Sequence, residues 1–162
     1  MTAPHHYRIS AANPAAHLFE VSVTVAEPDP AGQAFRFPAW IPGSYMIRDL
    51  ARNVVSVMAT ADGEPVELVK TDKSTWQAAP VETPLTFTAE ISALELTVRG
   101  VYLDTEHGFF DGACVFPSVI GQEERECQLA IAPPAQKGNT WRVATSMTPA
   151  GATTCTSSSS PR

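Results

Sequence analysis

The sequence predicts an all-β fold, an antiparallel β-sandwich or a large twisted sheet. Three observations predict it. Apolar residues recur with a period of two, turn-forming residues punctuate the chain at short intervals, and 14 prolines are scattered along its length. A period of two places side chains on one face of a strand. Proline removes a ladder donor, so prolines spread this way suit turns and strand ends.

The clearest strand follows His17, where Phe19, Val21, Val23 and Val25 alternate with Glu20, Ser22 and Thr24. A second begins at Leu85, where Leu85, Phe87, Ala89 and Ile91 alternate with Thr86, Thr88 and Glu90. The apolar phase then moves to Leu94, Leu96 and Val98. One residue of slip exchanges the faces of a strand, so a bulge or bend is expected near Ser92-Ala93. Shorter β-like runs cover residues 35–37, 53–60, 66–71, 75–78, 113–116, 127–131 and 141–145. Pro28-Asp29-Pro30, Asp62-Gly63, Asp111-Gly112, Pro133-Pro134 and Lys137-Gly138 are the turn signals between runs. Asp62-Gly63 lies between two β-rich runs and predicts a hairpin. One short helix is expected over 46–52, and there is no internal repeat.

With 162 residues the chain has the size of one domain, able to bury about 68–70% of its unfolded surface. Hydrophobic residues make up 44% and charged residues 17%, against a charged norm of about 25%, which argues against wholesale disorder. The net charge of −6 gives no basic footprint for nucleic acid or an anionic membrane. Cys114, Cys127 and Cys155 are odd in number and lack C-x-x-C spacing. They are expected as reduced thiols in the cytoplasm. The start of the chain has no secretory-signal pattern, and no apolar run approaches the ~20 residues of a membrane span. Residues 1–148 are expected to form the β-domain. The Thr- and Ser-rich residues 149–162 are expected to form a disordered tail.

No catalytic residue and no metal ligand can be assigned. The histidines are His5, His6, His17 and His107; none precedes a glutamate and no pair stands at i, i+4, so the H-E-x-x-H pattern of zinc hydrolases is absent. His5 and His6 read as a solvated pair. Pro42-Gly43-Ser44-Tyr45 does not fit the G-x-S-x-G nucleophile turn. Asp104 with Glu106, and Glu123 with Glu124, read as solvated loop acids, and Cys114 as a small core hydrophobe.

Two segments have an unusual texture. Residues 35–49 combine aromatics, a Pro-Gly turn and the Arg48-Asp49 pair; residues 98–112 combine Tyr102, Phe109 and Phe110 with three glycines. The candidate interdomain or binding surface is Trp40, Tyr45, Arg48, Asp49, Tyr102, Asp104, His107, Phe109 and Phe110. These segments carry a resemblance. W-I-P-G-S-Y-M-I-R-D at 40–49 resembles the P-x-W-x-P-G-S-Y-x-x-R-D signature of the glycyl aminopeptidase family, a group of gluzincin zinc peptidases. T-V-R-G-V-Y-L-D-T-E-H-G-F-F-D-G at 97–112 resembles a second signature of the same N-terminal domain, and W-R-V-A-T-S at 141–146 resembles its last strand. Order and spacing agree from about Tyr7 to Ser146.

The resemblance implies an N-terminal β-domain with a saddle-like twisted sheet, cut before the catalytic domain. In the family, a thermolysin-like domain that follows supplies H-E-x-x-H, a distant glutamate ligand and the general base. No such residue is carried over to this chain, so no cofactor is expected here and zinc only in the absent catalytic domain. That aminopeptidase catalytic domain is the expected partner, docking on the two signature loops. After Ser146 the family continues into a stretch resembling D-Y-D-E-L-V-D-x-P-V, where this chain turns to Thr and Ser. A reading-frame slip fits that departure: codons chosen for residues 152–162, read two nucleotides later, yield Asp-Asp-Leu-Tyr-Glu-Leu-Val-Glu-Ser-Pro. The alternative reading is a stand-alone β-sandwich module that binds a peptide or sugar through its aromatic loops.

Overall fold

The two most regular alternations in the sequence become paired strands at the heart of the larger sheet. In the computed structural model, which describes residues 3–132, 134 and 141–150, β2 (Leu18–Val25) and β8 (Leu85–Ser92) run antiparallel from Leu18↔Ser92 to Val25↔Leu85. Both bury every second residue, as one-faced strands do. The remaining strands are β1 (His5–Asn13), β3 (Ala34–Arg36), β4 (Val54–Ala61), β5 (Glu64–Val66), β6 (Leu68–Lys70), β7 (Thr75–Ala78), β9 (Val101–Leu103), β10 (Gly108–Phe110), β11 (Ser118–Val119) and β12 (Cys127–Ala132). One helical turn, α1 (Gly112–Val115), follows β10.

The strands form a six-stranded sheet of order β12-β1-β2-β8-β4-β5, a four-stranded sheet of order β11-β3-β7-β6, and the hairpin β9-β10. The all-β expectation holds, and all described pairings are antiparallel except β1 with β12. The Asp62-Gly63 hairpin is also present between β4 and β5. Both turn residues have positive φ, 51° and 83°, as the two-residue hairpin turn requires.

The two larger sheets meet through aromatic rings. Phe35 of β3 stacks on Phe87 of β8 at 4.6 Å, and Phe37 and Trp76 tilt against Phe87 at 6.4 Å each. Phe35, Phe37 and Phe87 are fully buried, as are Val21, Val23, Leu85 and Ile91. Cys114 lies in the same core as a small apolar group.

Six expectations need correction. His5 and His6 are not a solvated pair: alternation along β1 turns His5 into the interior, its Nε2 3.3 Å from Gln122 O, and leaves His6 exposed. β8 does not continue with exchanged faces past Ser92: Leu94, Leu96 and Val98 are exposed. The reason is that β2 and the register of β4 both end level with Ile91-Ser92; past them the chain meets only β9, through Leu103 N–H on Ala93 O, Glu95 N–H on Val101 O and the Leu94–Tyr102 bridge, before the turns that follow. The helix expected over 46–52 is a single 3-10 turn at Leu50–Asn53, because Asp49 before it takes a left-handed backbone, φ 47°. Residues 113–116 form α1 rather than a strand, with Asp111 Oδ1 accepting the Ala113 N–H at 2.9 Å as an N-cap. Residues 141–145 form no strand; the Trp141 ring packs beside Gly108 and the core. The run 66–71 is divided between β5 and β6. β1 went unread altogether. Most of the expected tail and the Lys137-Gly138 turn lie outside the described residues.

Phe87→Ala removes the ring that joins the sheets. It should cost about 3–5 kcal/mol in urea unfolding, while Val55→Ala on the exposed side of β4 should stay within about 0.5 kcal/mol. Similar losses for both would refute the aromatic junction.

Candidate functional site

The first signature segment leaves the core as a loop whose two stems are fixed inside it. Phe37 and Ile41 on the incoming side are buried, as are Leu50 and Ala51 on the outgoing side. Between them the chain reverses at Pro42-Gly43, where Gly43 has φ +80°, a conformation that suits glycine. Ser44 N–H donates to Ile41 O at 3.1 Å and Arg48 N–H to Ala39 O at 2.7 Å.

Ser44 is the hub of this loop. Its buried hydroxyl accepts from Arg48 Nε at 3.1 Å and from Met46 N–H at 3.3 Å, and donates to Met46 O at 3.0 Å. Its carbonyl accepts from the Trp40 indole at 2.7 Å. Lys73 Nζ lies 2.7 Å from Asp49 Oδ1, tying the loop to the β6–β7 turn. The result is an ordered loop with apolar residues outward: Tyr45 is fully exposed, Met46 and Ile47 about two-thirds, and Trp40 half.

A second loop lies alongside. Residues 94–100 fold into tight turns, with Glu95 N–H donating to Val101 O, Thr97 N–H to Glu95 O and Gly100 N–H to Thr97 O. A Cβ at Gly100 would stand 2.6 Å from Glu95 O, so only glycine permits this closure. Arg52 forms an ion pair with Glu95, and Arg99 Nη2 reaches within 3.9 Å of where a Gly43 Cβ would stand. Leu94, Leu96 and Val98 are exposed on this loop, Val98 at 81%, as Tyr45, Met46 and Ile47 are on the first. Cys114 of α1 lies beneath, donating its S–H to Arg99 O at 3.4 Å. Burial, aided by Asp111 and Glu95, pushes its thiol up to about 11.

The second signature segment divides. Val98-Arg99-Gly100 belongs to the patch just described. Tyr102, Asp104 and His107 form a separate cluster on the β9–β10 hairpin. Asp104 Oδ1 accepts the N–H groups of Glu106 and His107 at 2.8 Å each, and its Oδ2 accepts the Tyr102 hydroxyl at 3.1 Å. These bonds hold the Asp104 carboxyl below its ordinary range, the His107 N–H contributing most. His107 Nδ1 sits 3.2 Å from the same oxygen. Among the described residues no hydrogen bond, ion pair or ring contact joins this cluster to Trp40, Tyr45, Arg48 or Asp49. Phe109 is partly exposed, whereas Phe110 packs edge-on against Phe19 and Phe116. Phe110 also borders a cleft of about 590 Å³ lined by Tyr7, Phe116, Leu129, Thr145 and Met147 among others.

Several residues of the patch were absent from the sequence-based candidates. Arg99 was passed over within its motif, and Leu94, Leu96 and Val98 were read as a strand face. Three consecutive alternating apolar residues ending in Arg99-Gly100 were the available signal. No group of three or more His, Cys, Asp or Glu among the described residues has the geometry to hold a metal ion. No helix among them is long and apolar enough to cross a membrane.

The fold and these loops define a β-framework that carries ordered apolar loops. The chain belongs to the Peptidase M61 N-terminal domain family, whose model matches residues 6–159. It is similar to an aminopeptidase N family protein from Idiomarina loihiensis, with 33% identity and a TM-score of 0.78 over 81% of this chain. The chain spans 22% of that protein's length. An M1 zinc metallopeptidase from Deinococcus radiodurans aligns at 12% identity and a TM-score of 0.36, over 62% of this chain and 23% of its own, too distant to carry an argument. Among curated proteins none matches the chain.

Two outcomes follow. Ser44→Ala leaves the Met46 and Arg48 donors without their acceptor and should cost about 1–3 kcal/mol, with faster hydrogen exchange at the Met46 amide than in the wild type. Unchanged exchange would show that Ser44 does not hold the loop. The Cys114 thiol ionises first in the unfolded chain, so the native state binds more protons between pH 9 and 11. Stability should decline as pH rises through that window, and Cys114→Ala should flatten the slope measured by urea titration at each pH.

Proposed function

We propose that this chain is the non-catalytic N-terminal β-domain of a zinc-dependent, glycyl aminopeptidase-like metallopeptidase, and that it scaffolds and docks the catalytic domain. The observation that carries the reading is the apolar patch on ordered loops: Tyr45, Met46 and Ile47 beside Leu94, Leu96 and Val98. Scattered exposed apolar residues are ordinary, but six of them on two ordered loops that meet where Arg99 approaches Gly43 suit a surface that meets another. Rigidity matters, because a loop already ordered loses little conformational entropy on docking. On this reading zinc and the reacting groups belong to the partner domain, and the chain contributes shape and apolar area. Its exposed Cys127 and buried Cys114 are free thiols, in keeping with a cytoplasmic setting. The acidic net charge favours neither nucleic acid nor a membrane as partner.

A second reading rests on the cleft bordered by Tyr7, Phe110 and Phe116, which would serve a free-standing peptide- or sugar-binding module. Chemical-shift changes confined to this cleft on adding a short apolar peptide or an oligosaccharide would favour it over docking.

The purified chain, supplied with zinc, should release no fluorophore from glycyl or alanyl substrates above the blank. It should bind an apolar dye in its native state, and the triple variant Tyr45→Ser, Met46→Ser, Ile47→Ser should lose most of that signal while unfolding at the same urea concentration. Zinc-dependent turnover by the chain itself, or dye binding untouched by the triple variant, would overturn the docking reading.

A further inference from the structure

Arg48 and Arg99 approach the Pro42-Gly43-Ser44 turn from two sides. Arg48 reaches it through Nε on the Ser44 hydroxyl at 3.1 Å, and Arg99 through Nη2 at 3.9 Å from the Gly43 Cβ position. Both are half-buried, and both belong to the ground around Cys114: Arg99 through its carbonyl, Arg48 through its field on the thiol. The neighbouring carboxylates are committed elsewhere. Asp49 pairs with Lys73, Glu95 pairs with Arg52, and Asp111 caps α1. Among the described residues neither guanidinium has a carboxylate partner.

Among the described residues the two cations therefore stand without a carboxylate partner, on the same two loops that expose Tyr45, Met46, Ile47, Leu94, Leu96 and Val98. A surface seated across both loops would remove water from Arg48 and Arg99, which lie on them. Desolvating an unpaired charge is costly, and a carboxylate brought by the covering surface offsets that cost. Apolar rims around arginine anchors are a recurrent form of binding hot spot. We propose that Arg48 and Arg99 form a carboxylate receptor, and that the partner is a face of the peptidase catalytic domain with an Asp or Glu side chain set in apolar surroundings. The proposal rests on the docking reading above and adds to it the charge of the partner and the two residues that select it.

The experiment is a chimera in which this chain replaces the matching segment of the Idiomarina loihiensis protein. It is compared with the 162-residue chain alone. Variants are Arg99→Gln, whose guanidinium makes no bond among the described residues, the double variant Arg48→Gln/Arg99→Gln, and the double lysine exchange. The expected result is a single unfolding transition for the parent chimera. Both glutamine variants should accelerate proteolysis at the domain junction by about tenfold, and the effect should shrink in high salt. The lysine exchange should restore part of the protection, and Arg99→Gln should leave the isolated chain's unfolding unchanged. A parent chimera that unfolds in two independent transitions would overturn the docking reading and this proposal with it. A parent that unfolds as one unit while its glutamine variants resist proteolysis equally well would overturn the carboxylate receptor alone. An equal loss from Arg99→Gln in the isolated chain would do the same by assigning that residue a merely structural role.

Discussion

The stacked rings of Phe35 and Phe87 are the constraint on which the rest of the molecule depends. β3 has only three residues, too few to fix its own position by ladder bonds. The ring contact fixes it, and with it the direction in which the chain leaves the sheet. Phe37 follows two residues later and wedges edge-on against Trp76, so the stem of the Trp40–Asp49 loop is set by core packing before the loop begins. At its far end Leu50 and Ala51 return to the same core. An excursion with both ends buried has little freedom, and its few internal bonds then suffice to give it one shape.

Polar chemistry completes what packing starts. A loop of this length would ordinarily satisfy its backbone groups with water. Here the Ser44 hydroxyl and carbonyl take up donors from Trp40, Met46 and Arg48, which draws the polar atoms inward. The apolar side chains are left on the outside. That inversion is the opposite of what a soluble loop gains from folding alone, since exposure of Tyr45, Met46 and Ile47 forgoes roughly 1.5–3 kcal/mol each for the larger aliphatic groups. The stability lost is recovered only when another surface covers them.

The strands whose alternation was cleanest were legible in the sequence, because a buried face and a solvated face leave a direct trace at period two. β2, β8 and the Asp62-Gly63 turn are of this kind. β1 was harder to read: its inward positions are His5, Tyr7, Ile9 and Ala11, and a histidine and an alanine blur the apolar phase. Residues 94–98 gave a false alternation. Local pattern describes a strand's faces but not whether neighbouring strands extend far enough to pair, and β2 and β4 stop short. The nine candidate surface residues were legible as unusual, yet their division into two groups was not. Arg99 and Gly43, distant in sequence, meet only because the two loops fold side by side.

The Tyr102, Asp104 and His107 cluster shows how composition can imitate chemistry. A phenol, a carboxylate and an imidazole within hydrogen-bond reach suggest acid–base work. Their bonds argue otherwise. Asp104 spends its Oδ1 on two backbone N–H groups of its own turn and its Oδ2 on Tyr102, and the same contacts hold its proton affinity down while the shared bond to Asp104 raises that of Tyr102. Both shifts move the groups away from neutrality, where a general acid or base would need to be poised. The cluster closes the β9–β10 turn, as an aspartate at the start of a turn commonly does. With these groups committed to the turn, the proposed docking surface rests on the exposed apolar loops and on Arg48 and Arg99 rather than on this cluster.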